Sequence, residues 1–134
     1  MNKSDASDGN HVLVYNKARG RFVATHARVA AGFFGRLVGL LGTTRHWARP
    51  GNGLWIVPSH GVHTIGMSYE LDLVFLNRRR VVVEVQEGLR PFRISKVRLD
   101  AASVLELPVQ TVFCTQTRVG DELQIVPRRG ETPA

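Results

Sequence analysis

Residues 69–86 read YELDLVFLNRRRVVVEVQ, and this stretch decides the fold class. In 71–75, leucine and phenylalanine occupy alternate positions and therefore share one face of an extended chain. In 81–85, valines recur with the same period of two. Only residues 77–79 separate the two halves, so the pattern predicts a β-hairpin. Its loop has no glycine, and we expect Asn77 to take any positive φ that the turn requires.

Strand signals continue on both sides of this hairpin. Short apolar or alternating stretches predict further strands at 11–15, 21–29, 53–57, 93–98, 103–107 and 122–126. One helix is predicted at 30–41, where four large apolar side chains fall on one helical face. The sequence therefore predicts an all-β (mainly β) fold, a compact β-sandwich or barrel of seven to eight short strands with one short helix.

The length of 134 residues and a hydrophobic content of 43% predict one globular domain. We expect a disordered tail at 1–10, a single β domain at 11–126 and a frayed tail at 127–134. The amino-terminal stretch lacks the apolar run of a signal peptide, and no segment reaches the ~20 apolar residues that span a bilayer. We therefore expect no membrane span and a cytoplasmic location. The single cysteine, Cys114, has apolar neighbours and is predicted to be an inert packing residue.

The net charge of +7 comes mainly from arginine and favours anionic partners by long-range attraction. A simply solvated basic surface is the alternative interpretation. Specific nucleic-acid recognition is not expected, because no aromatic residues are interleaved with the basic run at 78–80. Non-specific nucleic-acid binding through the arginines stays open.

Common catalytic and cofactor motifs are absent from the sequence. There is no GxGxxG after a strand, no GxxxxGK[ST], no HExxH, no CxxC and no GxSxG. No cofactor and no metal site are therefore predicted. The pair His60 and His63 would point to opposite faces of a strand, and would converge on a metal ion only if 59–62 formed a turn.

An ordered set of short motifs runs through the chain: GLWIVP at 53–58, VHTIGM at 62–67, LDLVFL at 71–76, LELP at 105–108 and GDEL at 120–123. In this set the chain resembles the bacterial domain-of-unknown-function family 192, over roughly residues 20–126. The resemblance implies a compact β-sandwich-like fold and no established activity or cofactor. The chain departs from the family pattern at 77–79, where the family has Asp-Gly, and at Val109-Gln110, where the family has Ala-Gly.

Three polar residues stand inside apolar stretches. His63 would share a face with Ile65 and Met67, as a core histidine or as a general base or metal ligand. Asp72 and Glu106 each need a partner, because an unpaired buried carboxylate is costly. Backbone N–H groups of a turn or the guanidinium of Arg93 would supply one.

We predict a non-catalytic binding or accessory module. Its candidate pocket lies beside 62–67, with Arg93 as the anion contact, and consists of His63, Thr64, Met67, Asp72, Arg93 and Glu106. The expected partner is an unknown protein or a small anionic ligand, and the expected assembly is a monomer or weak homodimer. The alternatives are a small metal-dependent or acid–base enzyme using His63, Asp72 and Glu106, and a non-specific nucleic-acid binder.

Overall fold

The computed structural model describes residues 11–31, 49–62, 69–91 and 93–129. Its strands follow the apolar and alternating stretches of the sequence. The strands are β1 (His11–Asn16), β2 (Arg21–Ala31), β3 (Asn52–Val57), β4 (Leu71–Leu76), β5 (Val82–Leu89), β6 (Ser103–Pro108) and β7 (Leu123–Pro127). One short helix, α1 (Thr111–Thr115), follows β6. The predicted mainly β fold class is confirmed.

These seven strands form one sheet in the order β5-β4-β6-β3-β2-β1-β7. The pairing of β2 with β3 is parallel, and the other pairings are antiparallel. Every residue of β4 and β6, which are neighbours within the sheet, is buried. Burial on both faces accounts for the nearly continuous apolar sequence of these two strands.

Apolar side chains pack against both faces of the sheet. One cluster includes Val14, Leu105 and Leu123 and draws on six strands and α1. Because strands at both edges of the sheet contribute to it, this cluster fills the inside of the curl. A second cluster lies on the opposite face and joins Leu73 and Phe75 to residues of the connecting segments. The sheet therefore has an apolar cluster on each of its two faces.

The sheet curls until its two edges meet at one end. Val81, just before β5, forms an antiparallel bridge with Glu122, just before β7. The N–H of Leu123 donates to the carbonyl of Arg80 at 2.9 Å. The result is a curled half-barrel, and of the two predicted architectures the sheet is nearer to the barrel.

A polar clasp, formed by Asn16, Arg19, Thr117 and Asp121, reinforces this end. Asn16 Nδ2 donates to Asp121 Oδ2 at 3.0 Å and to Thr117 Oγ1 at 3.2 Å. The Arg19 guanidinium donates to both Asp121 oxygens, at 3.0 and 3.1 Å. The backbone N–H of Arg118 adds a further bond to Oδ2 at 2.9 Å. The clasp ties the turn between β1 and β2 to the entry of β7.

The β4–β5 hairpin corrects one expectation. Asn77 does not take the positive φ; Arg80 does, at 61°. Asn77 Oδ1 instead accepts hydrogen bonds from two backbone N–H groups of the loop, at 2.9 and 3.0 Å. The N–H of Asn77 donates to the carbonyl of Val81 at 3.0 Å, so the loop is 78–80 and not the predicted 77–79. A three-residue hairpin loop places its left-handed residue last, and that residue here is Arg80. Its guanidinium lies 5.0 Å from the centroid of the Trp55 ring and donates to the carbonyl of Ile125 at 2.9 Å.

The predicted helix also needs correction. Its start at Ala30 is wrong, because β2 pairs with β3 as far as Ala31, opposite Val57. Strand pairing here overrides the helical pattern of the sequence. The remainder of that helix, 32–41, and the predicted tail at 1–10 lie outside the described residues.

Three further features of the secondary structure differ from the predictions. Residues 93–98 form no strand of the sheet; the N–H groups of Ser95 and Arg98 bond instead to carbonyls of the segment 60–62. Helix α1 was not predicted, and Cys114 on it is exposed instead of packed. Pro127 is the last residue of β7, although the frayed tail was predicted to begin there.

None of the helices in the described part of the chain is long and apolar enough to cross a membrane.

Candidate functional site

Asp72 is fully buried in β4 and bonds to the backbone on two sides. Its Oδ1 accepts from the N–H of Gly88 in β5, and its Oδ2 from the N–H of Val112 in α1, both at 3.0 Å. The predicted bonding of Asp72 to backbone N–H groups is confirmed. Burial raises the pKa of Asp72 above its ordinary value, and the backbone hydrogen bonds only partly offset this. The carboxylate therefore fixes α1 and a strand bulge to the sheet.

Glu106 is also fully buried but lies on the opposite face of the sheet. Asp72 pairs with Leu107, whereas Glu106 pairs with Leu73. Directly opposed residues share a face, and consecutive residues of a strand point to opposite faces. Asp72 and Glu106 therefore project away from each other. The hypothesis that both carboxylates act at one enzymatic site is wrong.

The remaining members of the predicted pocket do not complete it within the described structure. His63, Thr64 and Met67 lie outside the described residues. Arg93 is described and exposed, at the start of the connection between β5 and β6. Neither buried carboxylate is accessible to a ligand. The described residues contain no group of three or more His, Cys, Asp or Glu side chains that could hold a metal ion.

A different set of residues forms an open cleft of about 620 Å³ beside the tip of the β4–β5 hairpin. We call it the basic cleft. Three separate segments line it: Pro58, His60, Asn77, Arg78, Arg79, Leu99, Asp100, Ala101 and Ala102. The arginine run was recognised in the sequence, but its meeting with 58–60 and 99–102 was not. These segments are brought together by tertiary contacts that leave no local signal.

The hairpin presents Arg78 and Arg79 to the basic cleft. The side chain of Asn77 bonds to two loop N–H groups and so stabilises the tip, with both arginine side chains exposed. Neither arginine forms an ion pair with any residue that the structure describes. Two guanidinium groups thus remain available to an anion.

His60 also lines the basic cleft. Its Nδ1 lies 2.8 Å from the carbonyl oxygen of Ala101, which requires Nδ1 to carry the proton. Nε2 has no hydrogen-bond partner among the described residues. The backbone is fixed as well, since Ser59 N–H donates to Ala102 O at 3.0 Å. The ring is therefore held with one nitrogen available to a ligand.

Asp100 is the only acidic residue among the described residues that line the basic cleft. It forms an ion pair with Arg98 at 2.7 Å, and a second Arg98–Asp100 bond measures 2.9 Å. The hydrogen bond from Arg98 lowers the pKa of the Asp100 carboxyl below its ordinary value. The negative charge is therefore compensated, and the basic cleft is cationic.

Residues 14–125 match the family described as "Uncharacterized ACR", the domain of unknown function DUF192. The chain belongs to this family. It is 27% identical to a UPF0127 protein of Thermococcus sibiricus over 117 residues, which is 83% of this chain and 73% of the relative.

Two crystal structures share the fold, each with a TM-score of 0.69. One is a proposed transcription regulator from Sinorhizobium meliloti 1021, 23% identical, covering 85% of this chain and 91% of its own. The other is a protein of unknown function from Novosphingobium aromaticivorans DSM 12444, 16% identical, covering 85% and 83%. At these identities the likeness concerns the fold alone.

Proposed function

We propose that this DUF192 protein is a non-catalytic binding module that holds an anionic group in the basic cleft. The observation that carries the proposal is the convergence of Arg78, Arg79 and His60 on one open cleft. Guanidinium groups bind phosphate and carboxylate oxygens through two parallel N–H donors. An exposed pair of them beside a fixed imidazole suits a phosphate or a carboxylate.

The lining of the basic cleft supports binding over covalent catalysis. Nucleophilic catalysis commonly uses a hydroxyl, thiol or amine next to a base, or a carboxylate. The described residues that line the cleft include no Ser, Thr, Cys or Lys, the carboxylate of Asp100 is ion-paired with Arg98, and the partner of His60 Nδ1 is a backbone carbonyl. The two guanidinium groups of Arg78 and Arg79 donate hydrogen bonds and carry positive charge, which serves recognition.

Nucleic-acid binding is the second candidate, because arginines also bind the phosphates of DNA. The Sinorhizobium structure is described as a proposed transcription regulator, which gives this candidate a reason for testing. The cationic surface would supply non-specific affinity. Specific recognition needs contacts to base edges or stacking side chains, and the described residues that line the basic cleft include no aromatic side chain.

The test is a titration of ¹⁵N-labelled protein with inorganic pyrophosphate, followed by amide chemical shifts. We expect localised shifts at residues 60, 78, 79 and 101. The cleft variant, Arg78→Gln/Arg79→Gln, should bind about tenfold more weakly or worse. The matched control is the tail variant, Arg128→Gln/Arg129→Gln, which removes the same charge beyond the far end of β7.

The two variants separate a site from general attraction. Localised shifts that are lost in the cleft variant and kept in the tail variant support the proposal. Equal weakening in both variants would show that net charge alone attracts the anion, and the proposal would fail. Absence of shifts near 60 and 78–79 would also overturn it.

A further inference from the structure

The connection between β5 and β6 exposes three aliphatic side chains next to the basic cleft. Ile94, Val97 and Leu99 have 74%, 62% and 84% of their surface exposed. Leu99 also lines the basic cleft, as the hairpin residues Arg78 and Arg79 do. Exposed aliphatic side chains gathered in six residues are unusual on the surface of a protein unless they contact something.

Hydrogen bonds hold this segment, residues 93–100, to the body of the protein. The N–H of Ser95 donates to the carbonyl of Val62 at 2.9 Å, and that of Arg98 to the carbonyl of His60 at 3.0 Å. Lys96 N–H donates to Gln86 Oε1 at 2.9 Å. Buried Ser95 Oγ accepts from Val62 N–H at 2.9 Å and donates to the carbonyl of Lys96 at 2.7 Å. The anchored segment thus keeps its aliphatic side chains outside the core.

Positive charge surrounds these aliphatic side chains. Arg93 and Lys96 are exposed on the anchored segment itself, and Arg78 and Arg79 line the same basic cleft as its residues Leu99 and Asp100. The acids nearby are already bonded: Lys96 and Arg98 lie 3.7 and 3.5 Å from Glu84, and Arg98 pairs with Asp100. The surface thus alternates apolar side chains with cations.

We propose that this surface docks peripherally on an anionic lipid bilayer. Ile94, Val97 and Leu99 enter the boundary between headgroups and acyl chains, while Arg78 and Arg79 bind lipid phosphate in the basic cleft. Apolar side chains rimmed by Lys and Arg match the bilayer surface, which is apolar below and anionic above. The inference rests on the proposed function, since it names lipid phosphodiester as the source of the anion.

Sedimentation with vesicles tests this inference on the full chain. We expect binding to phosphatidylcholine vesicles that contain about 30% phosphatidylglycerol, and little binding to phosphatidylcholine alone. Replacing the aliphatic side chains, in Ile94→Ser/Val97→Ser/Leu99→Ser, should weaken binding about tenfold or more. The control is Phe113→Ser/Val119→Ser, which removes two other exposed apolar side chains and should bind as the wild type does.

The outcomes distinguish the two proposals. Equal vesicle binding by the wild type and the aliphatic variant would show attraction by charge alone and would overturn membrane docking. Localised pyrophosphate binding without vesicle binding would also overturn docking and leave the proposed function standing. Failure of both ligands overturns both proposals. Tighter binding to duplex DNA than to vesicles, unaffected by the aliphatic variant, would favour nucleic acid and contradict docking.

Discussion

At the scale of single residues, Asp72 connects three elements through one carboxylate. Changing Asp72→Asn replaces an oxygen with an NH₂ group, so the N–H of Gly88 or of Val112 would face another donor. We expect the free energy of unfolding to fall by about 1–3 kcal/mol, because a buried donor loses its acceptor. Urea unfolding monitored by circular dichroism measures this change.

The control for Asp72→Asn is the same substitution at exposed Asp100, which should change stability by less than about 0.5 kcal/mol. Similar values for the two variants would contradict a structural role for Asp72. Loss of vesicle or pyrophosphate binding without loss of stability would instead point to a functional carboxylate.

Gln110 stands where the family pattern has glycine, and its backbone is left-handed. Its φ is 78°, in the region that costs a side-chain-bearing residue roughly 1–2 kcal/mol. We expect Gln110→Gly to raise the free energy of unfolding by about 0.5–1 kcal/mol, as measured by thermal and urea unfolding.

Arg80→Gly is the informative comparison, because Arg80 also has a positive φ of 61°. There the relief of backbone strain is opposed by loss of the contact with Trp55 and of the hydrogen bond to Ile125. Arg80→Gly should therefore lower stability. Destabilisation by Gln110→Gly as well would show that its side chain makes a contact that outweighs the strain.

At the scale of elements, the polar clasp joins the first and last strands and depends on an ionised Asp121. Burial raises the pKa of Asp121, but hydrogen bonds from Arg19, Asn16 and the Arg118 N–H outweigh it and leave the pKa below 3.8. A carboxyl with a lowered pKa in the fold adds stability above its unfolded pKa, and the contribution is lost as pH falls through the folded value. We expect the wild type to lose this stability below about pH 4.

Asp121→Asn should lower stability at about pH 7 and flatten the acid loss, as measured by urea unfolding at several pH values. The control is Glu122→Gln, whose ion pair with Lys17 is exposed and should matter little. An unchanged acid loss in Asp121→Asn would contradict the assignment. The pH dependence that Asp72 contributes has the opposite sign, because its pKa is raised in the fold. Asp72 adds stability below pH 3.8, and this contribution declines as the pH rises through the pKa of the folded state.

The strands could be predicted because each carries its burial pattern within a few residues. The apolar sequences of β4 and β6 predict buried strands, and Asp72 is recognisable as a polar residue within β4. The register that sets Asp72 opposite Leu107 could not be predicted, since it depends on which strands become neighbours. Helix α1 was not predicted because its five residues are too few to show the helical period repeating in the sequence.

At the scale of the whole molecule, core and recognition surface are separated. β4 and β6 are buried on both faces, so their polar groups serve the fold. Exposed charge and exposed aliphatic side chains meet at the hairpin tip and the anchored segment, which are connections between strands. Connections carried by a rigid sheet commonly provide binding sites. The arginine run predicted a basic surface, but only the folded chain unites it with His60 and Leu99.

The position of β1 in the sheet has a consequence for synthesis. β1 lies between β2 and β7, and β7 is the last strand to leave the ribosome. Until then, one side of β1 has unbonded N–H and C=O groups beside apolar Val12 and Val14. An open edge of this kind pairs readily with other chains. This edge of β1 therefore stays open to pairing with other chains until β7, the last of the described strands, emerges, and a chaperone that covers β1 would act during that interval.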